Sequence, residues 1–169
     1  ATTQPDNITP PPDYRFVRID DLSDVTASED GGADIDAVVL DKGDGSLIYA
    51  SSVEAAQHGG IDGLQLDPTD ILGAPDAFFE YPDLTNCAVD DGFMSLGGTG
   101  GFVVVRMDGL METGDTLTVL EVGGCTWSGG EAFVEEVQVS ISVGSEPTGT
   151  WLNLGSSIGP DAAFTIPSL

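Results

Sequence analysis

Between Ser28 and Gly45 the chain sets six carboxylates, Glu29, Asp30, Asp34, Asp36, Asp41 and Asp44, around a single base, Lys42. Carboxylates at that density suit a hard cation. Ca²⁺ takes six to eight oxygens, and Asp-rich turns deliver side-chain and backbone oxygens together. The same chemistry is on offer further along at Asp67 and Asp70, Asp76, Asp115 and Glu131. None of these segments spells an EF-hand, because DKGDGSL has neither the acidic twelfth ligand nor flanking helices. The competing explanation is a solvated acidic surface suited to a saline medium, which needs no site at all.

Other chemistries find less footing. His58 is the only histidine, and it lies in AAQHGG without a nucleophile elbow or a zinc-protease motif, so it reads as a surface or helix-end residue. A glycosidase needs two carboxylates at a set separation; with 29 acids some pair always fits, so the sequence does not argue for one. GGTGG at 97–101 lacks the Lys-Ser/Thr of a phosphate loop and reads as a hairpin turn. Trp127, Trp151 and Tyr81 offer a sugar-stacking platform, with Trp127 as the candidate glycan contact and Trp151, inside a strand pattern, expected in the core.

These residues need a scaffold, and the totals limit it. A chain of 169 residues accommodates one domain with a full core. The formal charge is −25, with 20 Asp, 9 Glu and four Lys plus Arg. Repulsion on that scale opposes compaction and disfavours nucleic acid and anionic membranes as partners. With 40% apolar residues the chain nevertheless folds, and 23 Gly and ten Pro in no repeating pattern suit short strands and tight turns. No apolar run is long enough to span a membrane. Cys87 and Cys125 are expected to form one disulfide in an exported protein, contributing about 2–4 kcal/mol; two buried thiols are the alternative. The opening ATTQ is what signal-peptide removal leaves, and equally what a cut chain shows.

Residues 1–13 hold four prolines and few apolar side chains, which predicts an extended arm. A sequon at Asn7 matters only in a host that glycosylates asparagine. From residue 14 to 169 a single β-domain is expected. YRFVRIDDL and IDAVVL read as the first strands, SSVEAAQH (51–58) as one or two helical turns ended by GGIDG, and GFVVVRM, DTLTVLEV, VQVSISV, TWLNLG and AFTIPSL as further strands. Period-two alternation with Gly/Asp turns predicts an all-β antiparallel sandwich or jelly roll.

The order FVRIDDLSD, GADIDAV, ILGAPD, FMSLGGTGGFVVVRM, GDTLTVLEVGG and EEVQVSISV with TWLNLG resembles the galactose-binding-like (discoidin-like) β-sandwich domains of bacterial surface and secreted proteins, from about residue 16 to the end. The resemblance implies a jelly roll, an extracellular setting, structural Ca²⁺ in loops, and adhesion, glycan binding or surface assembly. By position it carries over Asp34, Asp36, Asp76, Asp115 and Glu121 as cation ligands; Asp41 and Asp44 join them on composition alone. CTWSGG at 125–130 and the arm depart from the pattern. Two functions are expected, the first from the arm and the charge and the alternative from the resemblance alone. One is a calcium-stabilised, non-enzymatic subunit that polymerises with copies of itself, its arm added as a strand to the next subunit. The other is a carbohydrate-binding or adhesive module.

Overall fold

A computed structural model describes residues 12–24, 32–60, 66–77, 92–121, 135–158 and 161–169. Within them the chain forms nine strands: β1 (Phe16–Asp21), β2 (Asp34–Asp41), β3 (Leu47–Gln57), β4 (Met94–Ser95), β5 (Phe102–Met107), β6 (Thr116–Glu121), β7 (Glu136–Ser142), β8 (Leu152–Ile158) and β9 (Asp161–Thr165). A 3₁₀ helix, Pro68–Ile71, is capped by the Asp67 side chain accepting from the Thr69 N–H. No α-helix occurs among the described residues, and none of their helices is long and apolar enough to cross a membrane.

All pairings are antiparallel, in the order β8-β7-β1-β5-β3-β2-β6-β9, with β4 attached to β2. The expected all-β antiparallel class is therefore present, in a nearly closed, barrel-like arrangement. The two ends of the order approach each other, since a Cβ on Gly155 of β8 would lie 3.1 Å from the Phe164 ring of β9.

The long strand β3 makes the corner. Leu47–Tyr49 pair with β2, while Ala50–Gln57 pair with β5. Register shifts between Ala50 and Ser52 and between Val53 and Ala55 bend the strand from one set of partners to the other. This corrects the helical turns expected over 51–58. An isolated helix of that length is marginal in water, Ser51, Ser52 and Val53 are weak helix formers, and β5 presents a row of backbone groups that pairing satisfies.

Alternation places Val17 and Ile19 of β1, Val103, Val105 and Met107 of β5, Leu117 and Val119 of β6, and Val137, Val139 and Ile141 of β7 in one buried core. In β2 the alternation changes phase. Ile35 points inward, and after a bulge at Asp36 the inward residues are Val38 and Leu40. The GGTGG segment is a turn, with the Gly101 N–H donating to the Gly98 carbonyl at 2.9 Å. It is not the expected hairpin, because its flanking strands pair elsewhere: β4 with β2, and β5 with β1 and β3. Residues 1–11 of the arm, Glu29, Asp30, Tyr81, Cys87, Cys125, Trp127 and Glu131 lie outside the described residues.

Candidate functional site

The outward face of β1 carries Phe16, Arg18 and Asp20, the residues left over when Val17 and Ile19 turn inward. The register sets Ser140 of β7 and Val104 of β5 either side of Arg18, and Gln138 and Phe102 either side of Asp20. Arg18 is locked in this row. Its Nε and one terminal nitrogen donate to Asp20 at 2.6–3.0 Å, the other terminal nitrogen donates to the Pro147 carbonyl at 2.5 Å, and the guanidinium sits 4.2 Å from the centroid of the Phe102 ring. Arginine over an aromatic face with a bidentate carboxylate is a preorganised arrangement, since its planar fork holds little freedom once both are engaged.

Pro147 belongs to the loop from β7 to β8, which folds back over this face. Ser142 Oγ donates to the Thr150 carbonyl at 2.8 Å, and Trp151 Nε1 donates to the Glu146 carbonyl at 3.1 Å. These bonds fix the indole beside an open cleft of ≈ 390 Å³ whose lining includes Arg18, Asp20, Gln138, Ser140, Trp151 and Thr99–Gly101. Trp151 is thus half-buried beside a cleft, which corrects its expected place in the core. The sequence hid this because Trp151 precedes β8 and so escapes that strand's alternation.

The floor of the cleft is held by Asp21. It falls on the inward parity of β1 and is 1% exposed. Its Oδ1 accepts from the Ser23 N–H at 2.9 Å; its Oδ2 accepts from Ala33 N–H at 2.9 Å and Gly98 N–H at 2.8 Å. One carboxylate thereby ties the end of β1 to the approach to β2 and to the glycine turn that walls the cleft. Gly32, at φ +72°, allows this closeness, because a Cβ there would lie 2.3 Å from Asp21 Oδ2 and 2.2 Å from the Gly98 nitrogen. His58, at the end of β3, packs its ring on Gly97 and accepts from the Gly60 N–H through Nδ1 at 3.2 Å.

The carboxylates expected to bind Ca²⁺ are distributed differently. Asp41 and Asp44 fold back on their own turn, accepting from the Gly43 N–H at 2.7 Å and the Ser46 N–H at 2.8 Å. The bonds from Ser46 hold Asp44 below the usual carboxylate range. Asp115, 6% exposed, accepts from Lys42 Nζ at 2.6 Å and from the Glu112 N–H at 2.8 Å. Its counter-charge is the one base of the acidic stretch.

Asp34, Asp36, Asp76 and Glu121 belong to one region, the start of β2. Asp34 accepts from Ser95 Oγ of β4, Glu121 is in register with Ile35, and Asp36 Oδ1 accepts from the Asp76 and Ala77 N–H groups at 3.0 and 3.1 Å. Among the described residues no three His, Cys, Asp or Glu side chains converge as a metal site.

Burial, together with the nearby Asp76 charge, raises the pKa of Asp36 against the lowering effect of its two backbone bonds. A raised carboxylate subtracts from stability at neutral pH, and that loss is relieved as pH falls through the folded-state value. Asp36→Asn keeps an acceptor for the two N–H groups, so it is expected to stabilise the fold at pH 7 by about 0.5 kcal/mol. The difference from the parent should vanish below about pH 4. Urea unfolding at both pH values checks this, and a loss of stability at pH 7 would reverse the assignment.

Compared with family models, with curated proteins and with solved structures, the chain matches none.

Proposed function

We propose that this domain is a non-enzymatic, extracellular binding module whose outer-face cleft takes a carbohydrate. The observation that carries the reading is the cleft itself. It combines a hydrogen-bonded, half-buried indole with a locked Arg18–Asp20 pair and the neutral polar side chains of Gln138 and Ser140. Its size lies in the range of roughly 300–1,000 Å³ common for small-ligand sites. Sugar rings need an apolar surface for their C–H faces and paired donors and acceptors for their hydroxyls, and this wall supplies both.

In this proposal the barrel-like sheet is a jelly roll related to galactose-binding-like domains, on the likeness of the motifs in residues 16–169. Trp151→Ala should weaken glycan binding at least ~10-fold while leaving thermal unfolding within a few degrees of the parent. Glycan-array screening followed by calorimetry on both proteins tests it; equal affinity of the variant would remove the cleft from the reading.

A second reading, assembly of copies into a surface polymer, is favoured by β8. This strand ends the hydrogen-bonded order, carries no charge in LNLGSSI, and leaves Ile158 63% exposed. Uncharged edge strands accept further strands readily, and residues 1–13 are the segment proposed to add. Ca²⁺ bound near Asp36 and Asp76, whose charges repel, would lower the repulsion that opposes such assembly. Growth of polymers on CaCl₂ addition, lost on deletion of residues 1–13, is the expected result; unchanged polymers after deletion would sink it.

A further inference from the structure

We infer that the outer-face cleft selects uncharged sugars and rejects anionic ones, because its single cation is already neutralised inside the site. This inference rests on the glycan-binding reading. Among the described residues that line the cleft Arg18 is the only base, and each of its three guanidinium nitrogens is engaged, two by Asp20 and one by the Pro147 carbonyl.

Its side chain and that of Asp20 are only 20% and 22% exposed, and one face of the guanidinium lies against Phe102. A uronate, sialate or sulfate either meets the Asp20 charge at the guanidinium's remaining N–H groups or displaces Asp20, leaving a part-buried carboxylate without its partner. A neutral diol faces no such exchange. The pair offers spare N–H groups beside spare carboxylate lone pairs, and a sugar hydroxyl both donates and accepts. Gln138 and Ser140 extend that alternation along β7 without adding charge. The field of a −25 chain acts in the same direction, keeping anions at a distance and leaving neutral ligands unaffected.

The Asp20 carboxylate is therefore the specificity determinant. Asp20→Asn leaves an acceptor beside Arg18 but frees its charge, which should admit anionic sugars. Such a gain of binding is not a result that misfolding can imitate. Arg18→Lys keeps the charge and loses the fork.

The test is calorimetric titration with neutral, uronic and sulfated oligosaccharides of matched length, at about 20 mM and about 500 mM NaCl, which bracket strong and weak screening. For the parent, neutral ligands should bind with less than a ~2-fold change across salt, and anionic ones at least ~10-fold more weakly at low salt. Asp20→Asn should improve anionic binding ~10-fold or more, and Arg18→Lys should weaken neutral binding by a similar factor. Equal or tighter parental binding of the anionic ligands, or no gain in Asp20→Asn, overturns the selectivity while leaving glycan binding standing. Absence of binding to every sugar class overturns the glycan-binding reading and the selectivity with it.

Discussion

Replacing Asp21 by alanine is expected to cost about 3–5 kcal/mol, because it orphans three N–H groups at once. The carboxylate is 1% exposed and accepts from Ser23, Ala33 and Gly98. The nearby Ser23 and Gly101 carbonyls already accept from Thr99 and from Asp21's own N–H. Asp21→Asn should cost less, about 1–3 kcal/mol, because its amide oxygen can keep the two bonds to Ala33 and Gly98 while its NH₂ opposes one donor, Ser23.

The stability order parent, Asn, Ala follows. At this chain length the alanine variant should unfold roughly 10 °C lower. Denaturant unfolding of all three proteins checks the order. An alanine variant within about 1 kcal/mol of the parent would show that water replaces the carboxylate at little cost. Sugar binding should fall in parallel in any folded fraction, since the glycine turn that Asp21 holds forms one wall of the cleft.

Lys42→Met is the second large effect, about 2–4 kcal/mol at pH 7. Lys42 Nζ bonds Asp115 and Glu112 at 2.6 Å each and the Leu110 carbonyl at 3.1 Å. Removing it leaves Asp115, with a side chain 7% exposed, in a buried carboxylate's position without its cation. Glu112 is 70% exposed and adds little, so the loss stays below that of a fully buried pair. Lys42→Met combined with Asp115→Asn should recover most of the loss, which separates an unpaired charge from lost packing.

The pH dependence has a definite sign. Burial pulls the Lys42 pKa down, but its bonds to Asp115 and Glu112 outweigh that and hold it above the ordinary lysine value. Stability from a raised base is fully present below the unfolded-state value, about 10.4, and is lost as pH rises through the higher folded-state value. Parent and Lys42→Met should therefore keep their difference through the neutral and mildly alkaline range and, on the basic side, converge only in strong alkali. Convergence near neutrality would mean that another group neutralises Asp115.

Alternation in VQVSISV and DTLTVLEV located β7 and β6 to within a residue at each end, because a strand with one face on the core must repeat every two residues. The same rule passed over β3, whose two bulges break the period and whose Glu54-Ala55-Ala56-Gln57 segment favours a helix in isolation. The acidic stretch 28–45 shows Lys42 as its one base, but not that this lysine reaches across 73 positions of sequence to Asp115.

Composition and local pattern determined what short-range physics controls in this protein: an all-β antiparallel chain, strands punctuated by Gly/Asp turns, and an excess of acid that disfavours anionic partners. The tertiary structure alone decided which carboxylates face which donors. Asp20 and Asp21 are adjacent in sequence and identical in type, yet one faces outward to pair with Arg18 and the other turns inward to hold three backbone N–H groups. The parity of β1 separates them, and parity has meaning only once β5 and β7 have shown which face of the strand is the core.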